Sequence, residues 1–281
     1  MPEPISIGTS TIPDLLYQRF HDDSETQLKE GLPFFIGMDK IGSMTYLDLR
    51  LDVSTIANSL AGVIVEELES RMMQRLIRNH YYYYTEEEKQ IILHKAGELL
   101  NPINQESCLR QKRKEIVRQK VLDYLELHGE LILEGFINFR LKDYQQELQE
   151  IVNYAVDEFL IEREYQEFTR LLKYFVEIQE PRVAMVKIIF RKNGKFKLLD
   201  QSNQPLQHES LNNLMLDLQE NEINCDDLLI SALITLAPRE LEIHIESGAE
   251  KGETAKTIDH VFLSRVIYCL GCPLCRSTAE R

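Results

Sequence analysis

Cys269, Cys272 and Cys275 stand at two-residue gaps near the C-terminal end of the chain, with Gly271 and Pro273 bending the backbone between them. Thiolate is the softest common protein ligand, and this spacing lets three sulfurs converge on one zinc ion or on an iron–sulfur cluster. Either needs a fourth ligand, and the run closes with residues 276–281, which contain neither Cys nor His. The sequence leaves Cys225, His260, another chain or an outside ligand as candidates. The competing reading is a terminal segment carrying three reduced thiols. Histidines at 21, 80, 94, 128, 208, 244 and 260 stand singly, so hydrolytic zinc of the H-x₃-H or H-E-x₂-H kind is not expected.

A second candidate is the basic segment Arg110, Lys112, Arg113 and Lys114, continued by Arg118 and Lys120 and opposed only by Glu115. As chemistry this would be a phosphate-binding patch. Arg110, Lys114 and Arg118 share a helical row that continues as Val121 and Leu125, so pairing with the many Glu side chains is the simpler expectation. Tyr81–Tyr84 offers stacking faces, but four consecutive aromatics cannot share one helical face. Some must pack while others stay wet. Glu134, Arg140 and Asp143 would form a polar site only if a cleft gathers them; otherwise they belong to a packing motif.

The elements that position these residues fall into three stretches. Residues 1–53 read as a small α/β segment: a strand at Ile5–Ile7, a helix over 13–29, and strands at 34–38 and 44–51 with period-two alternation. Residues 54–180 read as helical. Ile56, Leu60, Ile64, Leu68, Met72 and Leu76 form one i, i+4 row of a single long helix. Thr85 with Glu88 is a capping-box signature for a helix to about residue 100. Helices are predicted over 106–128 and 131–179, the latter with a break where the apolar phase shifts near Leu160. Residues 181–281 return to α/β. Strands at 183–190 and 196–199 flank Asn193-Gly194, a type I′ turn signal, and are followed by a helix at 226–236, a strand at 241–245, a helix at 254–263 and a strand at 266–268. The fold class is α+β.

Residues Leu133-Glu134-Gly135-Phe136-Ile137-Asn138-Phe139-Arg140-Leu141, with Asp143-Tyr144, Glu164-Tyr165-Gln166-Glu167-Phe168 and Leu171-Leu172-Lys173-Tyr174-Phe175-Val176, carry a family resemblance. The segment resembles the YtxC-like family of endospore-forming Firmicutes, a family named for an association with spore formation. The resemblance implies a sporulation-associated protein and brings no catalytic residues to carry over.

Composition narrows the classes. The chain has 281 residues, 43% hydrophobic and 28% charged, with a formal charge of −14, which disfavours generic binding to nucleic acid or anionic lipid. No apolar run reaches the roughly 20 residues of a membrane-spanning helix, and Met1-Pro2-Glu3-Pro4 has no signal-peptide character, so a cytoplasmic protein is expected. Neither a nucleotide loop nor a nucleophile elbow appears. The expected role is a non-enzymatic interaction or regulatory protein with a protein partner. The alternatives are a zinc or iron–sulfur protein using Cys269, Cys272 and Cys275, and an enzyme with an unrecognised site.

Overall fold

In this computed structural model, residues 4–28, 35–192, 196–206, 225–246 and 252–276 are described, with the backbone alone for 24–28, 106, 225–226 and 253. The fold is α+β, and the chain forms two compact units, Met1–Ile161 and Glu162–Arg281.

The first unit opens with β1 (Ile5–Thr9), α1 (Pro13–Leu28), β2 (Ile36–Ile41) and β3 (Met44–Leu49). Thr45, Leu47 and Leu49 of β3 are buried while Met44, Tyr46 and Asp48 are half-buried, as the period-two pattern requires. Ile41 pairs with Met44 across a two-residue turn in which Gly42 takes φ +63°, a conformation that favours glycine. The sheet order is β2-β3-β1-β4, where β4 (Glu130–Ile132) runs parallel to β1. Sequence periodicity assigns Leu131 to the start of a helical region; three residues are too short to display alternation, and pairing to β1 decides the matter.

The single long helix expected through the Ile56–Leu76 row divides into α2 (Val53–Gly62), a π-helical stretch Val63–Leu68 and α3 (Glu69–His80). A π turn takes about one residue more than an α turn, so the buried row slips by one position. Ile56, Leu60, Ile64 and Leu68 are buried, and the row then continues through Met73 and Ile77; Met72 and Leu76 are only partly buried. Gly62, at the end of α2, leaves room for the Arg19 guanidinium, since a Cβ there would stand 2.6 Å from its Nη2.

Thr85 and Glu88 form the predicted capping box at α4 (Glu86–Leu100). Then come α5 (Glu106–Leu125), α6 (Leu133–Arg140) and α7 (Lys142–Ile178). The last runs on through Leu160, where the apolar phase shift suggests a break; the shift coincides with the division between the two units.

In the second unit the sheet order is β6 (Phe196–Leu199), β5 (Val183–Phe190), β7 (Pro238–Ile245), β8 (Val266–Tyr268), parallel except for β6. The Asn193-Gly194 turn lies outside the described residues, although Phe190 pairs antiparallel with Phe196 on either side of it. Helices α8 (Cys225–Leu236) and α9 (Glu253–Phe262) contribute Leu229, Leu233, Leu236, Ile258, Val261 and Phe262 to a core with Val186, Ile188, Leu241 and Ile243. Arg265 donates to the carbonyls of Pro238 and Val176, tying β7 to the end of α7.

No described helix is long and apolar enough to cross a membrane.

Candidate metal centre

Strand β7 alternates: Leu241 and Ile243 enter the hydrophobic core, so Glu242 and His244 project from the opposite face. The parallel register pairs Leu241 with Val266, Glu242 with Ile267 and Ile243 with Tyr268, and the Cys269 amide donates to the Ile243 carbonyl at 2.9 Å. One further step along that register brings His244 beside Cys269. Gly271 then turns the chain at φ +118°, its amide donating to Cys269 Sγ at 3.4 Å. Pro273 opens a single 3₁₀ turn, Pro273–Cys275, closed by the Cys275 amide on the Cys272 carbonyl. The result is a short knuckle that holds Cys272 and Cys275 above the histidine.

The four donor atoms of His244, Cys269, Cys272 and Cys275 all lie within 4.8 Å of one another. His244 Nδ1 stands 3.4 Å from Cys272 Sγ and 3.5 Å from Cys275 Sγ, and the two sulfurs are 3.9 Å apart. Around a tetrahedral zinc with ligands at about 2.3 Å for sulfur and 2.0 Å for nitrogen, the S···S edge is about 3.8 Å and the S···N edge about 3.5 Å. The three spacings among His244, Cys272 and Cys275 therefore match the edges of a mononuclear site, and Cys269 Sγ lies within 4.8 Å of those atoms. A polynuclear iron–sulfur cluster would hold its thiolates farther apart. His244 Nε2 is buried without a hydrogen-bond partner and has Glu242 Oε1 at 3.5 Å, outside hydrogen-bond geometry. A carboxylate behind a ligating imidazole fixes its orientation and raises its basicity.

The thiols differ in their surroundings. The Gly271 amide favours the Cys269 thiolate, yet burial and the crowding of Cys272 and Cys275 outweigh it and push that thiol up to about 11. Burial opposes ionisation of Cys272, but the amides of Cys275 and Leu274 and the neighbouring thiols lower its pKa.

All three cysteines singled out by spacing thus converge. His244 is not one of the fourth ligands to which the sequence points; a lone His in a strand carries no spacing signal, and the pairing of β7 with β8 is what reveals it. His260 is exposed on α9 and does not join the group, while the side chain of Cys225 lies outside the described ones.

The other candidates resolve differently. Within the basic segment, Arg113 pairs with buried Glu69, Lys114 with Glu66, Arg118 with Glu115 and Lys120 with Asp143, the intramolecular pairing that its helical row suggests. Tyr84 is buried edge-on against Phe159 and Tyr81 donates to Asn153, while Tyr82 and Tyr83 are exposed. Glu134, Arg140 and Asp143 do not form one site. Arg140 stacks over Tyr124 and Asp143 pairs with Lys120. Glu134 Oε1 accepts from the Thr9 and Thr11 hydroxyls and from the amide and hydroxyl of Ser10, stapling the end of β1 to α6.

Burial opposes the Glu134 charge, but these donors hold its carboxyl below the usual range. A depressed native pKa stabilises the fold above the unfolded value, and that contribution is lost as pH falls through the native pKa. Glu134→Ala is expected to cost about 1 kcal/mol at neutral pH. The gap in urea midpoint between the two proteins should shrink toward pH 3, and a gap that stays constant would show the carboxylate is not its source.

The profile of the YtxC-like family matches residues 54–267, most of the chain. The chain belongs to the YtxC-like family. The matched stretch of this YtxC-like chain includes His244 and ends just ahead of Cys269. The chain is 29% identical over 153 residues to the Bacillus subtilis (strain 168) protein named "Uncharacterized protein YtxC", covering 53% of each chain. The chain thus spans about half the length of that curated relative. No solved structure matches.

Proposed function

We propose that the second unit of this YtxC-like protein is a single-zinc module in which Cys269, Cys272, Cys275 and His244 hold the ion, and that the protein is a non-enzymatic interaction or regulatory protein. The observation that carries the reading is the meeting of four ligand atoms of the right types, those of His244, Cys272 and Cys275 at tetrahedral spacing and that of Cys269 within 4.8 Å of them. Four protein ligands leave no open position for water or substrate, which is the pattern of structural rather than catalytic zinc. Its role is to pin the segment after β8 onto the end of β7, where otherwise a few hydrogen bonds hold it. Reduced thiolates suit a cytoplasmic setting, and the spore-forming context is carried by the family resemblance.

Elemental analysis of untagged, anaerobically purified full chain is expected to give one zinc per chain. Cys272→Ser should lose it while the first unit keeps its helical signal. Metal-free protein that takes up no added zinc, or a variant that keeps full zinc, would sink the assignment; iron with acid-labile sulfide would replace it with a cluster.

A further inference from the structure

The first unit contains a cavity of about 500 Å³ that the metal reading does not use. It opens where β1 and β4, the parallel pair of the sheet, end: Thr11 follows β1, and Leu133 and Glu134 follow β4. Crevices at the carboxyl ends of parallel strands are common ligand sites, because the backbone diverges there into different connections. The opposite wall is α3. The one-residue slip imposed by the π turn sends Met73 and Ile77 into the core and leaves Met72 and Leu76 on the cavity, beside Arg71, Arg75 and Asn79.

The lining divides by chemistry. Met72, Leu76, Ile137 and Leu148 give an apolar floor. Arg71 and Arg75, one helical turn apart and exposed, make no ion pair or hydrogen bond with any described residue. That distinguishes them from Arg113, Lys114, Arg118 and Lys120, each paired with a carboxylate. The chain carries a formal charge of −14, yet at the rim of this cavity two neighbouring guanidinium groups have no carboxylate partner among the described residues. Among the described lining residues the one carboxylate is Glu134, whose Oε1 is committed to Thr9, Ser10 and Thr11 and whose Oε2 is buried without a hydrogen-bond partner.

We infer that this cavity binds a small organic anion, a carboxylate or phosphate monoester on an aliphatic body, with the anion on Arg71 and Arg75 and the body on the floor between α3, α6 and α7. Guanidinium forks match both headgroups, and the apolar floor supplies what an inorganic anion would not use.

The test is isothermal titration of the full chain with octanoate, octyl phosphate, octanol and inorganic phosphate. At least one of the first two is expected to bind at one site per chain, with octanol and inorganic phosphate at least tenfold weaker; the tighter of the two anions identifies the headgroup. Arg71→Gln/Arg75→Gln, changing two exposed side chains, should keep the melting temperature and lose at least tenfold in affinity for that anion. Cys272→Ser should bind it as the parent does, which separates this inference from the zinc reading. Absence of saturable binding by either anion, octanol or inorganic phosphate binding as tightly as the anions, or full affinity in the double variant would overturn it.

Discussion

Replacing His244 with Ala should take the full chain from one zinc to substoichiometric metal and unfasten the C-terminal segment of the second unit. The expected size follows from where the ion sits. Unfolded chains rarely hold a preformed site, so zinc binding energy, roughly 10–16 kcal/mol in small zinc-dependent domains, acts as folding energy. Here a hydrophobic core of Val186, Ile188, Leu241, Ile243 and the α8 and α9 residues already supports the sheet, so loss of zinc should not unfold everything. It should release Cys269–Cys275 first and then loosen β8, three residues long, which among the described residues pairs with β7 alone and packs Val266 and Tyr268 against the edge of that core. Hydrogen exchange should show Cys269, whose amide donates to Ile243, and Cys275, whose amide donates to Cys272, losing protection, with β5 unchanged. A chelator added to the parent protein should reproduce that pattern. His244→Ala with full zinc content would remove the histidine from the site, and a further variant, His244→Cys, should restore binding if the position supplies a ligand.

The two halves of this centre differ in how far they could be read from sequence. Two-residue gaps with Gly271 and Pro273 bring thiols together through local chain geometry, so spacing alone points to them. His244 arrives through a long-range pairing. Both strands are visible as short apolar runs, but nothing local says that they are parallel neighbours in a register that continues His244 onto Cys269. The same division runs through the first unit. The Thr85–Glu88 capping box is legible because both partners sit within one turn. The π turn at Val63–Leu68 is not, because Ile64, Leu68, Met72 and Leu76 continue an ideal i, i+4 row and only tertiary packing selects Met73 and Ile77 instead. Intrinsic pattern is a weak prior where a core must be filled. That misfit places Met72 and Leu76 on the cavity wall beside Arg71 and Arg75, which pair with no described residue.

Arg113→Ala should destabilise the first unit by about 3–5 kcal/mol, because it strands a buried carboxylate. Glu69 is 4% exposed at the start of α3. Arg113 Nε donates to its Oε1 at 2.7 Å and Nη2 to its Oε2 at 3.3 Å, while the same guanidinium donates to the Leu100 carbonyl and to Asn101 at the end of α4. The Tyr144 hydroxyl also donates to Glu69 Oε1, joining α7 to the group. Burial, and then the Glu69 charge, push the Tyr144 pKa far above the ordinary tyrosine value, so the hydroxyl remains a donor at any working pH. One carboxylate thereby gathers α3, α5 and α7, and the guanidinium adds the end of α4. The replacement Glu69→Met/Arg113→Met should cost less than the sum of its two single changes, since removing both charges leaves neither without a partner. Urea denaturation with an unchanged slope measures each value. A loss for Arg113→Ala no larger than the about 1 kcal/mol typical of a surface pair would mean that water reaches Glu69 and that the group does not organise the helices.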